Sequence, residues 1–190
     1  MIDDRSAART MTEYLIGLGH RHIGFITGNP KYLVSEVRMS GYRDALEAAG
    51  IEWRPELVAT GRFSYRSGLE AAGRLLALPE IPTAIAASND EMAAATISVA
   101  HRHNIDVPGE LTVTGFDDTL LATTVWPQIT TIRQPISDMS HAAIDLLTRS
   151  IRASRAGRDT QYEHLTLDYN LIERESSARP WRRDVPLPTA

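Results

Sequence analysis

The chain has 190 residues, a formal net charge of −4 and no cysteine. This length suits one domain or two small ones, and the lack of cysteine excludes disulfide bonds and thiol nucleophiles. The slightly acidic balance argues against a protein whose main task is to coat nucleic acid or an anionic membrane, and a hydrophobic content of 43% excludes wholesale disorder.

Short apolar runs alternate along the chain with longer segments of helical periodicity. We predict strands at 22–27, 57–61, 83–87 and 111–116, which start 26 to 35 residues apart and leave room for crossover helices. Runs that are apolar at nearly every position are typical of parallel strands covered on both faces, so the predicted fold class is α/β. A late strand is predicted at 165–172, and the proline-rich tail at 179–190 is expected to be disordered.

Five helices are predicted from their capping residues. Each begins near a side chain that can accept hydrogen bonds from first-turn amides, and the helices extend to about residues 18, 49, 78, 103 and 153. The predicted N-caps are Asp4, Ser35, Ser64, Ser88 or Asn89, and Ser137. No run of 18 apolar residues and no secretory signal is found, which favours a cytoplasmic protein without a membrane partner.

Patterns of known catalytic and metal sites are not found. No glycine-rich dinucleotide fingerprint follows a strand, and neither a P-loop nor a nucleophile elbow occurs. The His-Arg-His triplets at 20–22 and 101–103 lack the spacing of a helical zinc pair, so we expect solvated histidines, no metal and no cofactor. Asp117 as the magnesium ligand of a phosphatase-like enzyme would need a second acidic strand end and a suitable lysine, and neither is evident.

Polar side chains follow the predicted strands, at the edge where open parallel sheets bind ligands. A sugar or another small polar ligand needs this mixture of donors, acceptors and an aromatic face. Each residue also has a purely structural alternative, such as a helix cap, a solvated arginine or a core phenylalanine. The residues in question are 31–38, Phe63, Asn89, Asp90, Asp117 and Asp118.

Several segments carry a family resemblance in their order and spacing. They read EYLIGLGHRHIGFITG, RMSGYRDALEAAGI, TAIAASNDEMAAATISVAH, LTVTGFDDT and TTIRQPI. Together they resemble the effector-binding region of the lac repressor (LacI/GalR) family of transcriptional regulators, from about residue 3 to 178. The resemblance implies a periplasmic-binding-protein-like fold, with two α/β subdomains, three crossovers and an effector in the cleft between them.

The resemblance also implies roles for individual residues. Arg38 would grip the effector, Phe63 would pack on it, and Asn89 and Asp117 would hold its polar groups. Gln134 lies on a crossover beside the cleft, and Tyr32 lies in a loop of variable contacts. The effector would be a sugar, a polyol or a nucleobase-like molecule. A homodimer is implied through 90–100 and the region of Val125, with Ala94 on the contact face.

The chain is shorter than such a regulator, so we expect it to lack the helix-turn-helix that reads operator DNA. We expect one complete α/β subdomain at 21–134 and a returning strand at 156–178. Segments 3–20 and 135–155 would be helices of an absent N-terminal subdomain. Their apolar residues would then lie uncovered, at Ala7, Met11, Leu15 and Leu18 and at Met139, Ala143, Leu146 and Leu147. The alternatives are a free-standing solute-binding protein and, with less support, a small α/β enzyme.

Overall fold

The computed structural model describes residues 1–156 and 165–181. In this part of the chain, helices and strands alternate as the apolar runs predict. The helices are α1 (Asp4–Leu18), α2 (Leu33–Ala48), α3 (Tyr65–Leu76), α4 (Asp90–Arg102), α5 (Leu120–Thr124) and α6 (Ile136–Arg155). The strands are β1 (Ile23–Thr27), β2 (Val58–Thr60), β3 (Ala84–Ala87), β4 (Thr112–Thr114), β5 (Thr131–Arg133) and β6 (Asn170–Ile172). None of the described helices combines the length and apolar character needed to cross a bilayer.

The predicted parallel α/β sheet is confirmed. Its strands lie in the order β2-β1-β3-β4, and every neighbouring pair is parallel. One face buries Ile26 and Ile85 against α3 and α4, and the other buries Phe25 against Leu15 of α1 and Tyr42 of α2. Strands β5 and β6 form a separate antiparallel pair, and Thr130, just before β5, forms a bridge with Thr114 of β4.

The helix caps match the prediction in two cases and differ in three. Ser64 and Asn89 cap α3 and α4 through their side chains, as predicted. Asp3, not Asp4, caps α1, because its carboxylate accepts the Ser6 amide. Ser35 lies inside α2 and donates to the carbonyl of Asn29 instead. Helix α6 starts at Ile136, one residue before the predicted cap, and has no side-chain cap.

The prediction that α1 has an uncovered apolar face is wrong. Ala7, Met11 and Leu15 are buried, and Leu18 is half-buried. Helix α1 packs closely on α2, where a Cβ on Gly41 would collide with the backbone of Arg5. The cover for α1 therefore comes from α2 and the sheet.

Helix α6 differs from α1, since none of its residues is buried. Ile144 and Leu147 are each 61% exposed, while Met139 packs against a small core cluster with Met11 and Ile132. Of the four residues predicted to be uncovered on this helix, Ala143 and Leu147 are exposed, whereas Met139 and Leu146 are half-buried. Only 170–172 of the predicted late strand is a strand, and the predicted returning segment and tail fall partly outside the described residues, at 157–164 and 182–190.

Candidate functional site

Arg38 is the centre of a charged cluster at the carboxyl-terminal edge of the sheet. It lies in the first half of α2, and its residue surface is only 6% exposed. Nε donates to Asp4 Oδ1 at 2.8 Å, Nη2 lies 2.7 Å from the same oxygen, and Nη2 lies 3.7 Å from Oδ1 of Asp117. Nη1 donates to the carbonyl of Ser88. Two carboxylates therefore neutralise this guanidinium and fix its plane.

Asp117 lies in a tight turn directly after β4. Its φ is +105° and that of Asp118 is +52°, both in the region that L-residues rarely adopt. The side-chain amide of Gln134 donates to Asp117 Oδ1 at 2.6 Å. Burial raises the pKa of Asp117 despite the opposing effects of Arg38 and Gln134, and Asp4 raises it further. Asp117 therefore places a carboxyl acceptor, already bonded by Gln134, at this edge.

Asp118 binds two arginines, one in β5 and one just after β6. Arg133 of β5 donates to one carboxylate oxygen, and Arg174, after β6, donates to the other at 2.6 Å. Burial alone would raise the pKa of Asp118, but the two arginines outweigh it and lower that pKa. Asp118 thus links the turn of Asp117 to β5 and to the segment that follows β6, a role that the sequence did not suggest.

Phe63 covers the site from the loop after β2. Its φ of +60° is unusual for a bulky residue, and its ring lies directly on Gly28, where a Cβ would overlap it. The ring centroid is 6.0 Å from the Arg38 guanidinium and 6.3 Å from the ring of Tyr32. Tyr32 is 58% exposed. The two rings make a partly open aromatic wall above the charged cluster.

Asn89 acts as a helix cap, which is the structural alternative that the sequence offered for it. Its carbonyl oxygen accepts the Met92 amide, which caps α4, and its amide donates to the Phe63 carbonyl at 3.1 Å. Asn89 thus supports the unusual backbone of Phe63. A direct ligand contact of Asn89 stays a prediction.

The structure brings five predicted residues to this edge besides Arg38, namely Tyr32, Phe63, Asn89, Asp117 and Gln134. It adds Asp4, which the sequence analysis had assigned to a helix cap. The signal was present in the neighbouring pair Asp3 and Asp4: one carboxylate suffices for the cap, so the other is available to Arg38.

Comparison with known proteins identifies the fold at family level. Residues 12–177 match the model of the periplasmic binding protein-like domain. The chain belongs to this family. Its relatives are LacI-family transcriptional regulators, so the resemblance seen in the sequence is confirmed.

Two curated relatives illustrate the match. The chain is 38% identical over 149 residues to catabolite control protein A of Priestia megaterium, which covers 78% of this chain and 45% of that protein. It is 34% identical over 176 residues to the HTH-type transcriptional repressor CytR of Escherichia coli K12. This match covers 93% of this chain and 50% of that protein. The chain thus spans about half the length of these curated relatives.

Solved structures agree with this periplasmic binding protein-like domain. The complex of the transcriptional regulator CelR with cellobiose has a TM-score of 0.87 and 34% identity, covering 93% of this chain and 53% of that one. The regulator CcpA of Lactococcus lactis has a TM-score of 0.80 and 31% identity, and the match covers 93% of this chain and 63% of that one. CytR, CelR and CcpA are named as transcriptional regulators.

The predicted contact residue Ala94 is not on the surface of this periplasmic binding protein-like domain. Its surface is 2% exposed, and its side chain packs in the core cluster that α3 and α4 form with the sheet. Its assignment to a dimer surface is therefore wrong. The sequence pattern could not show whether the Ala94 side chain faces the core or the surface, because α4 is buried along most of its length. Val125 is half-buried, and its neighbours Leu120 and Trp126 are 80% and 72% exposed.

The histidine triplets of this domain do not form a metal site in the described structure. No group of three or more His, Asp or Glu side chains is arranged to hold an ion among residues 1–156 and 165–181. His20 is buried, contrary to the expectation of a solvated histidine, and its ring nitrogens bond the Thr83 hydroxyl and the Ala178 carbonyl. Burial lowers the pKa of His20.

Proposed function

We propose that this chain is the effector-sensing part of a LacI-type regulator and that its effector is a small, neutral, hydroxylated molecule. The observation that carries the proposal is the cluster of Arg38, Asp4 and Asp117 beneath the ring of Phe63. Hydroxyl groups both donate and accept, and the cluster offers partners of both kinds. A flat apolar face of a sugar ring or a base suits the aromatic wall.

Charge favours a neutral ligand over a phosphorylated one. The guanidinium of Arg38 already faces two carboxylates, of Asp4 and Asp117, so a phosphate there would meet their negative charge. The remaining arginines beside the turn, Arg133 and Arg174, are paired with Asp118. A neutral hydroxylated ligand would exploit the fixed donors and acceptors without breaking these pairs.

The contacts of Asp118 support a route for the signal. Asp117 would meet the effector, while its neighbour Asp118 is bonded to Arg133 in β5 and to Arg174 just after β6. An effector that prefers one arrangement of the turn would therefore bias the crossover region. In a complete regulator, this bias would alter how a helix-turn-helix unit meets its operator.

A thermal-shift panel tests the binding proposal. We expect cellobiose, galactose or cytidine to raise the melting temperature of the chain, and glucose 6-phosphate to raise it less. Gln134→Ala and Phe63→Leu should reduce the shift, because they remove one polar contact and the aromatic cover. Tyr65→Leu is the matched aromatic control, because the Tyr65 hydroxyl donates to Ser98 of α4 and not to a residue of the cluster. No shift with any probe, or an unchanged shift in both site variants, would overturn the proposal.

We also propose a homodimer through the surface of α4 and α5. Leu120 and Trp126 are the large exposed side chains there, and the ring of Trp126 lies 5.8 Å from that of His101. Exposed aromatic side chains of this kind are enriched at protein interfaces. In sedimentation velocity, Trp126→Glu should shift the chain toward monomer, and Trp53→Glu, which removes an aromatic stacked on Arg43, should not. Equal behaviour of the two variants would count against this surface.

A further inference from the structure

We propose that Asp90 is a positioning residue that holds the Asp117–Asp118 turn in its binding geometry. Its importance for ligand affinity rests on the proposed function, whereas its effect on the turn does not. Asp90 follows the cap residue Asn89 and occupies the first position of α4. It is fully buried, which is unusual for a first-turn acid.

Asp90 bonds both ends of the turn. Its backbone amide donates to the carbonyl of Phe116 at 2.9 Å, directly before Asp117. Its Oδ2 accepts the backbone amide of Thr119 at 2.6 Å and the Thr119 hydroxyl at 3.0 Å, directly after Asp118. The two residues with positive φ therefore lie between two attachment points on one residue.

The second carboxylate oxygen of Asp90 ties the turn to the crossover. Oδ1 accepts the hydroxyl of Thr131 in β5 at 2.6 Å. A Cβ on Gly115 would collide with this same oxygen, so glycine there leaves room for the carboxylate. Asp90 thus joins α4, the end of β4 and the start of β5 at a single buried point.

Backbone strain explains why such an attachment is needed. Residues with positive φ other than glycine cost free energy and persist only when their surroundings determine them. Asp117 has one further backbone bond, from its amide to the carbonyl of Ile132 at 2.8 Å. Without the Asp90 carboxylate, the Thr119 end of the turn would be free to relax, and the Asp117 carboxylate would leave its place beside Arg38 and Gln134.

Amide hydrogen exchange tests the role of Asp90 without any ligand. In Asp90→Ala, the amides of both Asp117 and Thr119 should exchange about tenfold faster or more. The Asp117 amide is decisive, because its own partner is Ile132 and not Asp90. Amides of Phe25 and Ile85 in the sheet report that the fold is intact. Unchanged protection of Asp117, with a faster Thr119 alone, would overturn the proposal.

Two further variants keep the experiment decisive. Asp90→Asn preserves the shape of the side chain but offers only one acceptor oxygen, so the amides of Asp117 and Thr119 should exchange faster in this variant too. It replaces Asp90→Ala if the alanine variant fails to fold. Glu91→Gln is the matched control, since Glu91 lies next in α4, is exposed and binds the Tyr65 amide instead. Equal effects of the Asp90 and Glu91 variants would show a general charge effect on α4 and contradict the proposal.

Ligand titration then separates this inference from the proposed function. For the panel compound that stabilises the unchanged chain most, Asp90→Asn should weaken the affinity about tenfold without lowering the melting temperature. An unchanged affinity would contradict positioning at the ligand site. If no compound binds the unchanged chain, the proposed function fails, while hydrogen exchange still decides whether Asp90 holds the turn.

Discussion

The guanidinium carbon of Arg38 lies 3.6 Å from the centroid of the Phe116 ring. The ring supports one face of the guanidinium, while Asp4 and Asp117 approach its edge. A planar cation stacked on an aromatic face and paired at its rim has little freedom to turn. The donors of this cluster are therefore set by packing before any ligand arrives.

Loss of Arg38 should destabilise the protein and abolish ligand binding. Arg38→Met keeps much of the side-chain volume but leaves Asp4 and Asp117 without their cation, and we expect a loss of about 2 kcal/mol in the free energy of unfolding. Urea denaturation measures it. Arg5→Met is the control, because Arg5 also joins α1 to α2 through Asp44 but is 59% exposed, so little change is expected. Equal losses would contradict a special role for Arg38.

Gly28 should be intolerant of a methyl group because Phe63 occupies the space. Gly28→Ala forces the Phe63 ring off its present position, and overpacking of this kind costs about 1–3 kcal/mol. It should also weaken binding of any ligand that stacks on Phe63. Gly73→Ala, in α3 with open space around it, should instead stabilise the protein slightly. Calorimetry of both variants checks the contrast, and a stabilising Gly28→Ala would refute the packing argument.

The titration of Asp90 should appear in the pH dependence of stability. Burial raises its pKa from 3.8 to about 6 despite hydrogen bonds from Thr119 and Thr131. Because the folded state holds this proton more tightly, the contribution of Asp90 becomes more favourable as pH falls through about 6, and it reaches its full size of roughly 3 kcal/mol, at about 1.4 kcal/mol per pKa unit, only below 3.8.

Asp90→Asn isolates this contribution, since Asp117 also has a raised pKa and several surface acids have lowered ones. The free energy of unfolding of the unchanged chain, minus that of Asp90→Asn, should rise toward pH 4. Asp106→Asn, in an exposed loop, serves as the control. A difference that stays flat between pH 7 and 4 would show that Asp90 titrates normally.

Local patterns were sufficient to predict the sheet. The apolar runs around Ile26 and Ile85 are buried on both faces of the sheet, and this burial is what their composition encodes. Strand β5 was missed because it has three residues and pairs with β6, about 40 residues later in the chain. A pairing of that kind depends on distant partners and leaves little trace in a short segment.

The candidate site was predictable where strand ends and the family resemblance marked it. Arg38, Phe63 and Asp117 were found in this way. Asp4 was missed because two adjacent carboxylates competed for one cap. Asp90 was named among the polar residues at this edge, but its contacts with Thr119 and Thr131 were not predicted, because they depend on the tertiary fold. Ala94 was misplaced because a helix buried along most of its length hides which residues face outward. In each case the local sequence allowed more than one role for the residue, and tertiary contacts determine which role it has.

Because α6 has exposed apolar side chains, shortening one of them should change the stability of the protein very little. Leu147→Ala removes a side chain that is 61% exposed, so we expect a change below about 0.5 kcal/mol in the free energy of unfolding. Leu75→Ala in α3 removes a side chain that is 1% exposed and should cost about 2–5 kcal/mol. Denaturant unfolding of both variants measures the contrast. A cost for Leu147→Ala close to that of Leu75→Ala would mean that α6 is covered in solution, and its dependence on protein concentration would show whether a second copy provides the cover.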